Sequence, residues 1–120
     1  MSLPDVLLVS AGAAVGAPLR YLTDRAVQGR TDATFPWGTF TVNVFGSFVL
    51  GVVAGLAVHD LTLLAGVGFC GAFTTFSTFG YETDRLAAAG SRLTAALNVG
   101  ATVVAGLAVA ALGYVLGTHL

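Results

Sequence analysis

The chain has 120 residues, 56% of them hydrophobic and only 9% charged, with a formal net charge of −1. A water-soluble domain carries about 25% charged residues, and one this small must leave much of its chain at the surface, so a soluble globular protein is excluded. The five arginines form no basic cluster, which excludes a polyanion-binding role, and the lone Cys70 allows neither a disulfide framework nor a cysteine metal set.

What remains is an all-α integral membrane protein of four spanning helices. A helix needs about 20 mostly apolar residues to cross a bilayer core. The first uncharged run, between Asp5 and Arg20, holds only 14 residues. It therefore has to continue through Arg20, and the first helix is predicted from about Asp5 to Leu22. Met1 to Asp5 lacks the basic n-region of a cleaved signal peptide, so this segment is expected to stay in the mature protein. Pro36 opens a second helix, predicted from Trp37 to Val58 in a stretch without charge. His59-Asp60 is expected to be its whole connection to a third helix, Leu61 to Tyr81, which makes the two antiparallel neighbours. The fourth is predicted from Leu93 to Leu116. Tyr21, Trp37, Tyr81 and Tyr114 fall near span ends, where amphipathic rings anchor at the headgroups. No linker separates domains, so residues 1–120 are read as one unit.

Small residues recur every fourth position: Gly12 and Gly16, then Asn43, Ser47, Gly51 and Gly55, then Asn98, Thr102, Gly106 and Ala110. Tight helix packing in lipid accounts for the glycines and alanines but not for the polar residues on the same rows. The densest polar cluster lies in the third span, where Thr74, Thr75, Ser77 and Thr78 put four hydroxyls within five residues beside Gly71. A single Ser or Thr in such a helix usually bonds back to its own backbone. Four together, three of them β-branched, predict an interruption near the middle of helix three. Broken backbone at membrane depth is tolerated only where it is buried in protein or lines a water path, and there its freed carbonyls and N–H groups can hold ions. Phe76 and Phe79, three apart, are expected on one face, where their positive ring edges favour a small anion. Phe73, on another face, is expected to be packing.

These residues resemble a known family. Gly12-x-x-x-Gly16-Ala17-x-x-Arg20-Tyr21, then Gly38-Thr39-Phe40-x-Val42-Asn43-x-x-Gly46-Ser47-Phe48-x-Leu50-Gly51, then Gly71-x-x-Thr74-Thr75-Phe76-Ser77-Thr78-Phe79 together are similar to the CrcB/Fluc fluoride channels over essentially the whole chain. The resemblance implies a passive, fluoride-selective channel of the cell's inner (plasma) membrane, an antiparallel dual-topology-type dimer with two pores that lowers cytoplasmic fluoride. It implies that Phe76 and Phe79 line the pores, that Asn43 helps hold fluoride, and that Ser77, Thr78 and Thr102 lie along or near a polar track. It further implies a structural sodium ion at the dimer centre, bound by the backbone carbonyls of Gly71 and Thr74. Arg20 is expected in a vestibule and Glu82 near a pore end. Helix four departs from the family pattern, with Asn98 and Thr102 where tyrosine and serine types are expected.

Rival classes fit less well. A small proton-coupled multidrug exporter needs a carboxylate near the midplane, whereas Asp5, Asp24, Asp32, Asp60, Glu82 and Asp84 all map to span ends or loops. A non-transporting structural membrane subunit would leave the hydroxyl cluster idle. An enzyme is disfavoured because His59 and His119 sit at ends and Cys70 has no evident base beside it.

The arginines add an expectation of their own. With four spans, Arg20, Arg25, Arg30, Arg85 and Arg92 all fall on one side of the membrane and none on the other. Positive residues in short loops stay cytoplasmic, so the chain should insert one way, with both termini outside. A self-pairing antiparallel dimer needs near-zero bias. The expected partner is therefore a homologous subunit of opposite bias, a heterodimer, in preference to a homodimer.

Overall fold

The computed structural model describes all 120 residues, and every regular element is helical. Four segments are long and apolar enough to cross a membrane: Leu3–Gln28, Trp37–Leu56, His59–Ala88 and Arg92–Thr118.

Helix α1 (Leu3–Gln28) starts with a reciprocal cap, in which Ser2 accepts from the Asp5 N–H and the Asp5 carboxylate accepts from the Ser2 N–H. It runs six residues beyond the predicted end at Leu22. The charged residues there do not stop it, because Arg25 stacks on the Tyr21 ring and donates to its hydroxyl at 3.0 Å one turn back. Helix α2 (Trp37–Leu56) ends two residues early, where Ala57 turns left-handed (φ 55°) and its N–H caps the Val53 carbonyl. The link to the third span is thus Ala57-Val58, and His59 and Asp60 belong to the next helical turn.

The third span is not uniform. A short turn, α3 (His59–Leu61), leads into a π-wound stretch, Thr62–Cys70, and a further short turn, α4 (Gly71–Phe73). At Thr74 the backbone becomes extended (φ −82°, ψ 163°), and helical winding resumes only in α5 (Ser77–Ala88). The last helix, α6 (Arg92–Thr118), is continuous.

Close backbone approach holds the four segments together. A Cβ added at Gly113 of α6 would fall on the Phe48 carbonyl of α2, and one added at Gly51 would fall on the Ala110 carbonyl in return. Gly12 and Gly16 of α1 meet the backbone of the π-wound stretch at Leu64 and Phe69 in the same way. Lipid tails are as apolar as the side chains, so contact area won by small residues replaces hydrophobic burial as the driving force. Aromatic contacts finish the core: Phe73, 4% exposed, stacks on Phe69 at 5.3 Å and meets Phe45 edge-on. His59 Nε2 lies 3.5 Å from the Asp5 carboxylate, and the Gly38 N–H donates to the Gln28 side chain at the other end. These two contacts fix which chain ends share a membrane face.

Candidate functional site

The site forms where the third span leaves its helix. In a regular helix the Thr75 N–H would donate to the Gly71 carbonyl and the Thr78 N–H to the Thr74 carbonyl. Both donors are diverted. The Thr75 N–H donates to Asn43 Oδ1 at 2.7 Å, while Asn43 Nδ2 donates to the Thr75 carbonyl at 2.9 Å. The Thr78 N–H donates to the Thr75 hydroxyl at 3.1 Å, a capping contact that starts α5. The Gly71 and Thr74 carbonyls consequently accept no hydrogen bond, and the Phe76 N–H donates none to the backbone. The amide of Asn43 has its orientation dictated by this pairing, since the Thr75 N–H requires an oxygen and its carbonyl a nitrogen.

The other hydroxyls behave differently. Thr41, Ser47, Thr62, Thr74 and Thr83 each donate to the carbonyl one turn back, which satisfies them within their own helices. Thr75 instead serves the backbone ahead of it.

Two cavities flank the break. A groove of about 670 Å³ is lined by Asn43, Gly71, Thr74, Phe76, Phe79 and Thr102 among others. The two phenylalanine rings stand 6.2 Å apart and tilted by 48°; Phe76 is 84% exposed and Phe79 half-buried. A smaller cavity of about 190 Å³ brings Arg20 together with Asp24, Thr39 and Thr78. Thr75 lines both. Ser77 is exposed and lines neither. Glu82 accepts a hydrogen bond from the buried Thr39 hydroxyl near the start of α2.

Several of these contacts are not visible in the sequence motifs. Thr39 lies four residues before Asn43, on the same row of α2, and that spacing is the signal that could have found its link to Glu82. Asn98 is fully buried, and its amide donates to the Thr83 hydroxyl at 2.9 Å. Its Oδ1 and the Thr102 hydroxyl, one turn apart, are buried without a partner.

A family model described as CrcB-like protein, Camphor Resistance (CrcB), matches residues 7–114. The chain belongs to the CrcB family. A relative in Frankia casuarinae named fluoride-specific ion channel FluC 1 is 58% identical over 89% of this chain and 91% of its own. One of the same name in Streptomyces avermitilis is also 58% identical, over 89% and 90%. Fluoride-specific ion channel FluC 2 of Mycobacterium tuberculosis is 51% identical over 82% and 79%. As a CrcB protein with four helices able to span the bilayer, the chain is a multi-pass membrane protein.

Phe73, Phe76 and Phe79 of this CrcB chain divide by environment, and the stabilities of their variants should divide with them. In water-soluble cores Phe→Ala costs about 3–5 kcal/mol. In lipid the transfer contribution falls away and the lost contacts remain, so Phe73→Ala should cost about half of that. Phe76→Ala should change unfolding in mixed detergent by less than about 0.5 kcal/mol. Equal losses at the two positions would contradict the assignment of Phe73 to packing and Phe76 to the open groove.

Proposed function

We propose that this protein is a passive, fluoride-selective ion channel, and that it works as an antiparallel dimer with two pores. The observation that carries this reading is the interrupted third span, with Phe76 and Phe79 facing a groove beside it, in a chain whose relatives are named fluoride-specific ion channels. The chain is not an enzyme: a channel breaks and makes no covalent bond.

The chemistry of the groove suits a strongly hydrated small anion. Fluoride surrenders its water only to donors placed closely around it. The Phe76 and Phe79 ring edges, the Thr102 hydroxyl and the second N–H of the Asn43 amide supply such donors in the groove as a series of weak sites, and the Thr78 hydroxyl continues the series in the neighbouring cavity; Ser77, outside both cavities, is assigned to the polar track by the family resemblance alone. Ion transit needs binding that is favourable at entry yet weak enough for release. A fixed cation in the groove would trap the ion. The one arginine near the break, Arg20, lies in the neighbouring cavity instead, where as a vestibule residue it raises the local anion concentration. Glu82 is assigned to the pore end on the same side, held by Thr39.

The same break supports a structural sodium ion. Two carbonyls without partners at membrane depth would cost several kcal/mol each. Hard oxygen donors suit a hard cation, and a two-fold axis beside Gly71 would bring two such pairs together. Gly71 has open space where a Cβ would stand, so nothing in the protomer blocks that approach. Sodium bound there by the Gly71 and Thr74 carbonyls would neutralise them and tie the subunits together.

Vesicles holding the purified protein should release fluoride, read with a fluoride electrode, and essentially no chloride. Phe76→Ile and Phe79→Ile should each cut the fluoride rate by at least about tenfold, because volume is nearly conserved while the ring edge is lost. Phe73→Ile should keep it within about twofold if the protein folds. Comparable chloride and fluoride rates would overturn the reading.

The membrane is taken to be the cell's inner (plasma) membrane, and the subunit's partner a homologous chain of opposite orientation. The arginine bias supports a heterodimer over a homodimer. Arg25, Arg30, Arg85 and Arg92 all lie at the end of the bundle where α1 and α5 finish and α2 and α6 begin, and the opposite end carries none. Reporter fusions at Leu120 should give a single orientation, with the C-terminus outside. A mixture of both orientations would restore the homodimer.

A further inference from the structure

We propose that Asn43 and Thr75 are positioning residues for the cation site, and that together they form a lock coupling the wall of the pore to the dimer centre. The inference rests on the sodium site argued above and goes further by naming the side chains that create it.

A helix hides its carbonyls by giving each an N–H four residues on. Freeing a carbonyl therefore requires taking that N–H away, and the break does this twice with side chains of its own. The Asn43 amide takes the Thr75 N–H, which is the helical partner of the Gly71 carbonyl. The Thr75 hydroxyl takes the Thr78 N–H, which is the partner of the Thr74 carbonyl. The two diverted donors are the helical partners of the two carbonyls assigned to the cation, whereas the Ala72 carbonyl loses its donor, the Phe76 N–H, to the break itself. The second bond of Asn43, from Nδ2 to the Thr75 carbonyl, gives the amide a second hold on Thr75. Carbonyls freed by thermal fraying would recapture their donors; here both helical donors are already engaged by side chains.

The position of Asn43 makes the lock a coupling device. Its amide stands in the groove with Phe76 and Phe79, and Gly46, one turn further along α2, is what lets it reach. A Cβ at Gly46 would collide with the Thr74 side chain. Any displacement of Asn43 from the pore side returns the Thr75 N–H to Gly71, and the dimer loses half of its ligands from that subunit. Conversely, a cation on the two carbonyls opposes helical closure and holds the Asn43 amide in its place, as linkage requires.

The test measures self-association of the full chain in detergent micelles, where sidedness imposes no orientation, with sodium exchanged for a large organic cation. At sodium about tenfold above its dissociation constant, linkage gives about a tenfold tighter assembly. Wild type should show this. Asn43→Ala should lose it to within about twofold, because the Thr75 N–H returns to Gly71. Thr75→Val, nearly the same shape but without the hydroxyl, should lose it as well, and Thr75→Ser should retain it. Should Asn43→Ala fail to fold, the Val and Ser pair still decides. If Asn43→Ala and Thr75→Val keep the full sodium dependence, the lock is wrong while the cation site stands. Wild type that self-associates equally well with and without sodium would remove the cation site and the lock together.

Discussion

A backbone that leaves its helix inside a bilayer has to find new partners for every N–H and carbonyl it exposes. Each group left alone costs several kcal/mol, more than a membrane helix recovers from any single packing contact. The residues Thr74–Phe76 are where this chain meets that constraint, and the reciprocal pair of bonds between Asn43 and the Thr75 peptide is its answer. Without that pair, the hydroxyl cluster of the third span would fold back onto its own carbonyls as Thr62 and Thr83 do. The groove, the free carbonyls and the exposed Phe76 ring all follow from it.

The surrounding packing serves the same end. Asn43 reaches Thr75 because α2 runs close to the broken span, and it runs close because Gly46 presents no side chain toward Thr74. The depth of α2 is set in turn from its other side, where Gly51 and Gly113 let it touch the backbone of α6. On the far flank, Gly12 and Gly16 seat α1 against the π-wound stretch. That stretch carries an extra residue per turn just before the break, as π-turns near functional sites commonly do. The small-residue rows therefore do more than compact the bundle. They set the distances at which a polar side chain of one helix can mend the backbone of another.

Much of this was legible in the sequence. The four spans follow from charge-free runs and the length a bilayer demands, and the motifs around Asn43 and Phe76 led directly to the CrcB family, whose model covers residues 7–114. Helix ends were less legible. The sequence puts the end of α1 at about Leu22, just past Arg20, yet Tyr21 and Arg25 pair along the helix and carry it to Gln28. Individual roles were least legible, because they depend on which hydroxyl keeps its own helix and which does not. Nothing in the spacing separates Thr75 from Thr74, although one caps α5 and the other bonds back to Cys70. Asn98 was likewise visible as a departure from the family pattern, but its pairing with Thr83 across two helices is a fact of tertiary packing.

The central claim is that the Gly71 and Thr74 carbonyls are held outside the helical ladder by side chains. Isotope-edited infrared spectroscopy of the protein in lipid, with carbon-13 at the Gly71 carbonyl, tests it most directly. The account predicts a band displaced from the α-helical position, which shifts when sodium is replaced by a large organic cation. A helical band indifferent to that exchange would contradict it.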